Sequence, residues 1–173
     1  MGGGEPLASP EFTVSLLRLC KNAGIHTVLD TCGYARWETI KQVVSYVDLV
    51  LYDFKHIDPV AHKEYTGVSN DIILDNARRI HHELSIPLLA RIPVIPGYND
   101  SLENMKATAR FVAMELGTST NVHLLPYHRL GEVKYARLEK PGNPISIEPP
   151  GEQKIAAIKL VFESFGLKVH EGG

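Results

Sequence analysis

The chain has 173 residues with 18 basic and 20 acidic side chains, a net charge of −2, and is 44% hydrophobic and 22% charged. That balance suits one compact domain spanning residues 1–173 and excludes a disordered or fibrous chain. A pI of about 6.4 gives no basic footprint for nucleic acid or an anionic membrane surface, and no run approaches the ~20 apolar residues of a spanning helix. The start, Met1 to Pro6, lacks a basic segment followed by an apolar one, so a cytoplasmic location is expected. Two cysteines, Cys20 and Cys32, are too few for a disulfide framework or a complete zinc or cluster site.

In chain order, Phe12, Leu16, Leu19, Cys20 and Ala23 share a helical face, with Ser9 as N-cap, Pro10 at the first helical position and Gly24 as the stop. Ile25 to Asp30 reads as a strand running into the Thr31-Cys32-Gly33 loop. Trp37, Ile40, Val44 and Val47 recur at helical spacing, and Asp48 to Phe54 reads as a buried strand. Ile73, Ala77, Ile80 and Leu84 mark the next helix, and Pro87 to Ile95 the next strand. After the Pro96 to Asp100 loop, Ser101 caps a helix whose inner face is Leu102, Met105, Ala109, Val112 and Leu116. A strand at Asn121 to Pro126 follows, then a Pro- and Gly-rich loop from Tyr127 to Gly151. A helix carrying Ile155, Ile158, Phe162 and Phe165, and a short strand from Leu167 to His170, close the sequence.

Strands alternating with helices of this length predict an α/β fold of βαβ units, either an open doubly wound sheet or all or part of a (β/α) barrel with parallel strands. In both architectures the site lies at the carboxyl ends of the strands. Those positions hold Asp30-Thr31, Asp53 to His56, Pro96 to Asp100 and Tyr127 to Arg129, with Arg91 inside the third strand. Any one of these Asp or Asn residues is as easily a helix cap or turn former, but their recurrence at one rim favours a site.

Asp53 and Lys55, two apart at a strand end, project to the same side and would grip a zwitterion such as an amino acid moiety. Asp30, the Thr31 hydroxyl and Asp53 offer hard oxygens to a small cation or acceptors to an ammonium group. Arg91, in an otherwise apolar strand, needs an anion, and either a substrate carboxylate or a structural aspartate would serve. His128 would contact a ribose or base, carry a proton, or simply satisfy a loop carbonyl. Cys20 reads as a small core residue, and Cys32 as structural or as approaching the site. No dinucleotide fingerprint, P-loop or nucleophile elbow is present.

Several segments together resemble the activating enzymes of glycyl radical enzymes, of the pyruvate formate-lyase activase type, within the radical S-adenosylmethionine superfamily. They are Gly3-Gly4-Glu5-Pro6, Leu29 to Tyr34 (LDTCGY), Asp48 to Lys55 (DLVLYDFK), Tyr65 to Asn70 (YTGVSN), Arg91 to Gly97 (RIPVIPG) and Leu124 to Gly131 (LLPYHRLG). The resemblance covers essentially the whole chain and implies a partial (β/α) barrel. It also implies S-adenosylmethionine and a [4Fe–4S] cluster, whose reductive chemistry removes hydrogen from a glycine of a partner glycyl radical enzyme. Ferredoxin or flavodoxin is the implied reductant.

Carried over residue by residue, Gly3, Gly4 and Glu5 approach the methionine ammonium, Lys55 contacts the carboxylate and His128 the adenosyl part. Asp30, Thr31, Leu51 through its carbonyl, and Asp53 surround a monovalent cation beside the cofactor, with Arg91 as a further pocket contact. Pro126, Tyr127 and His128 meet the partner's glycyl loop, while Tyr98, Asn99 and Asp100 have no assigned role.

One departure bears on activity. The family holds its cluster with a CxxxCxxC loop upstream of the GGE segment, and Cys20 and Cys32, downstream and twelve apart, cannot replace it. The expectation is therefore the carboxy-terminal part of an activase, truncated at its N-terminal strands and inactive by itself. Truncation would leave the edge of the Ile25 to Asp30 strand open to self-association. The competing expectations are a non-catalytic, partner-binding scaffold, and a complete small (β/α) enzyme using Asp53, Lys55 and His128 for acid–base or Schiff-base work.

Overall fold

A computed structural model of the protein describes residues 4–129 and 147–172. Its elements run α1 (Pro10–Asn22), β1 (Val28–Thr31), α2 (Trp37–Val44), β2 (Leu49–Asp53), α3 (Pro59–Thr66), α4 (Asp71–Arg79), β3 (Leu88–Val94), α5 (Leu102–Glu115), β4 (Asn121–Pro126), α6 (Glu152–Glu163) and β5 (Lys168–Glu171). The five strands form one sheet in sequence order β1-β2-β3-β4-β5, and every neighbouring pair is parallel. This is the partial (β/α) barrel expected from the alternation of strands and helices.

Strand residues alternate in burial: Leu29, Val50, Tyr52, Ala90, Ile92, Val122, Leu124 and Val169 pack into the core with Ile40, Val43, Met105, Val112, Ile158 and Phe162 of the helices. The intervening residues are only half-buried or exposed. Parallel sheets are normally covered on both faces, so a half-open face is available for function. The register places Asp53 beside Arg91, Arg91 beside His123 and His123 beside His170, a polar row across that open face.

Local chemistry explains most boundaries. Ser101 caps α5 by accepting from the Asn104 amide at 3.2 Å, as its position predicts. The helix predicted through Leu84 is α-helical only to Arg79, widens into a π-turn over Ile80–Leu84 and stops at Ser85, which adopts φ 53°. Sequence reading passed over α3, although Asp58 caps it by accepting from Ala61 N at 2.8 Å, Pro59 opens it and Gly67 ends it at φ 85°.

Two expectations need correction. The apolar face assigned to α1 is rotated: Phe12 and Leu19 are each 64% exposed and Cys20 is half-buried, while Thr13 and Leu17 are the buried positions. The inward line passes through Thr13 because its hydroxyl donates to Pro6 O at 2.8 Å, anchoring α1 to the turn before it. The first strand begins at Val28 rather than Ile25, because Thr27 bonds through its amide and hydroxyl to the Asp48 carboxylate at 2.7 and 2.9 Å, and pairing starts beyond it. Lys21 also reaches Asp48, and these bonds hold its carboxyl well below the usual carboxylate range. The loop predicted at 127–151 lies mostly outside the described residues.

Candidate functional site

At the carboxyl ends of β1 and β2 lies a cleft of about 270 Å³ lined by Gly4, Glu5, Asp30, Thr31, Cys32, Asp53 and Lys55. Six of these seven are positions the sequence singled out for the site, and Cys32 is the addition. Gly4 is exposed at the cleft, and Gly3 lies outside the described residues. Leu51 sits half-buried in β2, in register with Asp30. His128 is exposed two residues beyond β4, away from the cleft lining.

One wall is built around Glu5. Its Oε1 accepts from Leu7 N at 3.1 Å and Thr31 Oγ1 at 2.7 Å, and its Oε2 accepts from the Cys32 amide and thiol, each at 3.0 Å. Burial pushes the Glu5 carboxyl up, but the bonds from Cys32, Thr31 and Leu7 outweigh it and hold the group below its ordinary value. Four donors fill a carboxylate's usual capacity, so Glu5 acts toward the chain as a post that ties the Pro6–Ala8 turn to the end of β1. Burial, then the bond to Glu5, pushes the Cys32 thiol up and keeps it a protonated donor.

The loop after β1 is fixed from beneath. Gly33 sits at φ 72°, and a Cβ there would lie 1.7 Å from Tyr52 Oη. That hydroxyl donates to Ile73 O at 2.6 Å, and Asn76 Nδ2 donates to Gly33 O and Ala35 O at 2.9 and 2.8 Å. Only glycine fits this crossing.

The floor is an ion network. Arg91 donates through Nε to Asp53 Oδ1 and through Nη1 to Asp30 Oδ2, both at 2.9 Å, and its Nη2 lies 2.9 Å from Asp30 Oδ1. Burial works against the guanidinium charge, but Asp53 and Asp30 outweigh that and stabilise it further. Of the two anions the sequence allowed Arg91, the structure supplies aspartates. Asp30 and Asp53 spend oxygens on Arg91, and the Thr31 hydroxyl is spent on Glu5, so a monovalent cation would share these atoms with existing bonds. Among the described residues, no group of three or more His, Cys, Asp and Glu is placed to hold a metal ion.

Lys55 stands beside this network, 41% exposed and 3.7 Å from Asp53 Oδ2. Its ammonium has donors to spare, and the lone pairs that Arg91 leaves on Asp30 and Asp53 face the same cleft. Carboxylate to Lys55 and ammonium to the aspartates is the pairing an α-amino acid group needs, so the donor set fits the methionine end of S-adenosylmethionine. A [4Fe–4S] cluster does not fit: Cys32 is engaged with Glu5, and Cys20 lies on α1.

Sequence reading missed two features. It left Cys32 between structural and site roles, and nothing in the pattern reveals its bond to Glu5. It gave Asn99 no role, although that residue is buried against the Lys55 backbone.

The sequence signature of the Radical SAM superfamily matches residues 1–112. The chain is 42% identical over 161 residues to an isethionate sulfite-lyase activating enzyme of Nitratidesulfovibrio vulgaris, covering 91% of this chain and 52% of that protein. It is 37% identical over 174 residues to a trans-4-hydroxy-L-proline dehydratase activating enzyme of Clostridioides difficile, covering 100% of this chain and 57% of the relative. The chain thus spans about half the length of the curated relatives it matches. Among solved structures, a domain of a pyruvate-formate lyase-activating enzyme from Bacteroides vulgatus superposes with a TM-score of 0.83 at 34% identity, covering 100% of this chain and 97% of that domain.

Proposed function

Because the chain belongs to the radical SAM superfamily, and within it to the activating enzymes of glycyl radical enzymes, we propose that its strand ends hold the amino acid end of S-adenosylmethionine in such an activase. The observation that carries this reading is the Lys55 ammonium, half-exposed beside two aspartates that share the single positive charge of Arg91. Lys55 takes the ligand carboxylate, and Asp30 and Asp53 accept from its ammonium. Arg91 holds both aspartates at fixed spacing. The Glu5–Thr31–Cys32 bonds close the wall, leaving the Gly4 backbone free to approach the ligand. When bound, S-adenosylmethionine supplies the means of abstracting hydrogen from a glycine of a partner protein.

The partner in this reading is a glycyl radical enzyme of lyase or dehydratase kind, the classes that the names of the two curated relatives carry. Ferredoxin or flavodoxin is the reductant, and His128 and Tyr127, past β4, lie toward the partner. A monovalent cation near Asp30 and Asp53 belongs to the same reading only if the ligand carboxylate completes its shell. This sequence has two cysteines, so the three-cysteine cluster loop is not within it, and the chain by itself is inactive in this reading. β1 is the first strand of the described sheet, and self-association at that end is tested by light scattering across a concentration series: a monomer throughout contradicts it.

A chimera tests the main reading. This chain replaces the matching residues of the Nitratidesulfovibrio activating enzyme, and 5′-deoxyadenosine and the partner's glycyl radical signal are measured anaerobically. Product that disappears with Lys55→Met supports the reading. A chimera that carries its cluster, shown by absorbance, yet yields no 5′-deoxyadenosine contradicts it.

A further inference from the structure

Beyond β2, among the described residues, side-chain amides take over the bonds that the ladder to β3 makes along the strand. The last rung of the β2–β3 ladder is Phe54 N donating to Arg91 O at 2.9 Å. After it, three buried asparagines bind the exit segment. Asn99 Nδ2 donates to Lys55 O at 2.8 Å, Asn70 Nδ2 donates to His56 O and Ile57 O at 2.9 and 2.7 Å, and Asn104 Oδ1 accepts from Ile57 N at 3.0 Å. The three come from the N-cap of α4, the loop after β3 and the first turn of α5. Asn104 Nδ2 in turn donates to Asn99 O at 2.8 Å, joining two of them.

Asn99 has a particular place among them. Its Nδ2 also donates to Pro93 O at 2.5 Å, and its Oδ1 accepts from Ile95 N at 2.8 Å. One amide therefore stands in for the next rung between β2 and β3, linking the Lys55 carbonyl to the strand that carries Arg91. Each of its polar atoms is bonded within the protein, and the residue is buried, so it has no part left to offer a ligand. Buried amides of this kind fix position, because breaking one leaves a carbonyl unsatisfied.

We propose that Asn99 is a positioning residue that aims Lys55 at the carboxylate of the bound ligand. The proposal rests on the reading that Lys55 takes that carboxylate. By fixing the Lys55 backbone against β3, Asn99 sets the distance from the lysine to the Asp30–Arg91–Asp53 network, so the carboxylate and ammonium contacts form together. Without it, Lys55 must be ordered at each binding event.

The test compares two ligands. S-adenosylhomocysteine carries the amino acid end, and 5′-methylthioadenosine shares the adenosine but lacks it. Calorimetric titration of the wild-type chain gives the ratio of their affinities. Asn99→Ser is expected to reduce that ratio about tenfold while leaving 5′-methylthioadenosine affinity unchanged. Asn70→Ser, which loosens His56 and Ile57 and bonds to neither Asn99 nor Lys55, is expected to keep most of the ratio. A folded Asn99→Ser protein with the wild-type ratio, or one that loses both ligands equally, overturns the proposal. Should Asn99→Ser fail to fold, Asn99→Asp, which keeps the size but cannot donate to Lys55 O, is read in the same way. If neither variant folds, the residue serves the fold itself and the proposal is also overturned. Lys55→Met separates the two claims: an unchanged ratio there sinks the reading of Lys55, whereas a lost ratio there with an intact one in Asn99→Ser sinks only the positioning role.

Discussion

The two faces of the sheet are built from alternate residues of the same strands, yet they behave as different materials. On the covered face, Leu29, Val50, Tyr52, Ala90 and Ile92 meet the helices in a continuous apolar layer. On the open face, Asp30 and Asp53 share Arg91, and Lys55 stands beside them. The covered face carries stability through area removed from water, and the open face carries recognition through charge geometry. Substitutions should therefore separate: stability losses on one face, binding losses on the other.

The largest effect is expected from Gly33→Ala. A Cβ 1.7 Å from Tyr52 Oη at φ 72° forces the covered layer apart, and a loss of about 4 kcal/mol or more in denaturant unfolding is predicted, enough to unfold a marginal domain. A variant with wild-type stability would show that the loop shifts freely over Tyr52. Leu29→Ala, fully buried, should cost about 3 kcal/mol by the same measurement, with ligand affinity nearly unchanged in the remaining folded protein.

Arg91→Met probes the other face. It leaves two partly exposed carboxylates without their shared cation, and about 1.5 kcal/mol of stability is lost at pH 7. The effect on S-adenosylhomocysteine affinity, measured by calorimetric titration, exceeds the effect on stability, because both aspartates line the cleft. A deficit in stability with unchanged S-adenosylhomocysteine affinity would break the comparison.

The smallest effect concerns Glu5. Because its folded-state value is lowered, its contribution is complete above the ordinary glutamate range, about pH 4.3, and is lost as pH falls through the depressed value. Glu5→Gln should cost about 1 kcal/mol at pH 7 and flatten the acid limb of the stability curve. An unchanged acid limb would mean that the wall of the cleft does not depend on this charge.

Much of the covered face was legible in the sequence. Short apolar runs in DLVLYDF and PLLARIPVI, separated by helical spacing at Ile73 to Leu84 and followed by it at Met105 to Leu116, are enough to define a parallel α/β sheet. The rim was legible because charged residues recur after successive strands, where such folds place their sites. The face of α1 was not, because Phe12, Leu16 and Leu19 form as good an apolar stripe as the true one, and the choice is made by a Thr13 hydroxyl bond to Pro6. Nor were the bonds of Glu5 with Cys32, or of Asn99 with Lys55. These join residues 27 and 44 positions apart, and no local pattern encodes such pairings.

The most direct test of the account is an NMR titration of the wild-type chain with S-adenosylhomocysteine, following backbone amide shifts. The account predicts that the changes concentrate at Gly4, Asp30 to Cys32 and Asp53 to His56, and vanish from the last segment in Lys55→Met. Changes confined to other segments, or none at saturating ligand, would contradict the assignment of this cleft to the amino acid end of the cofactor.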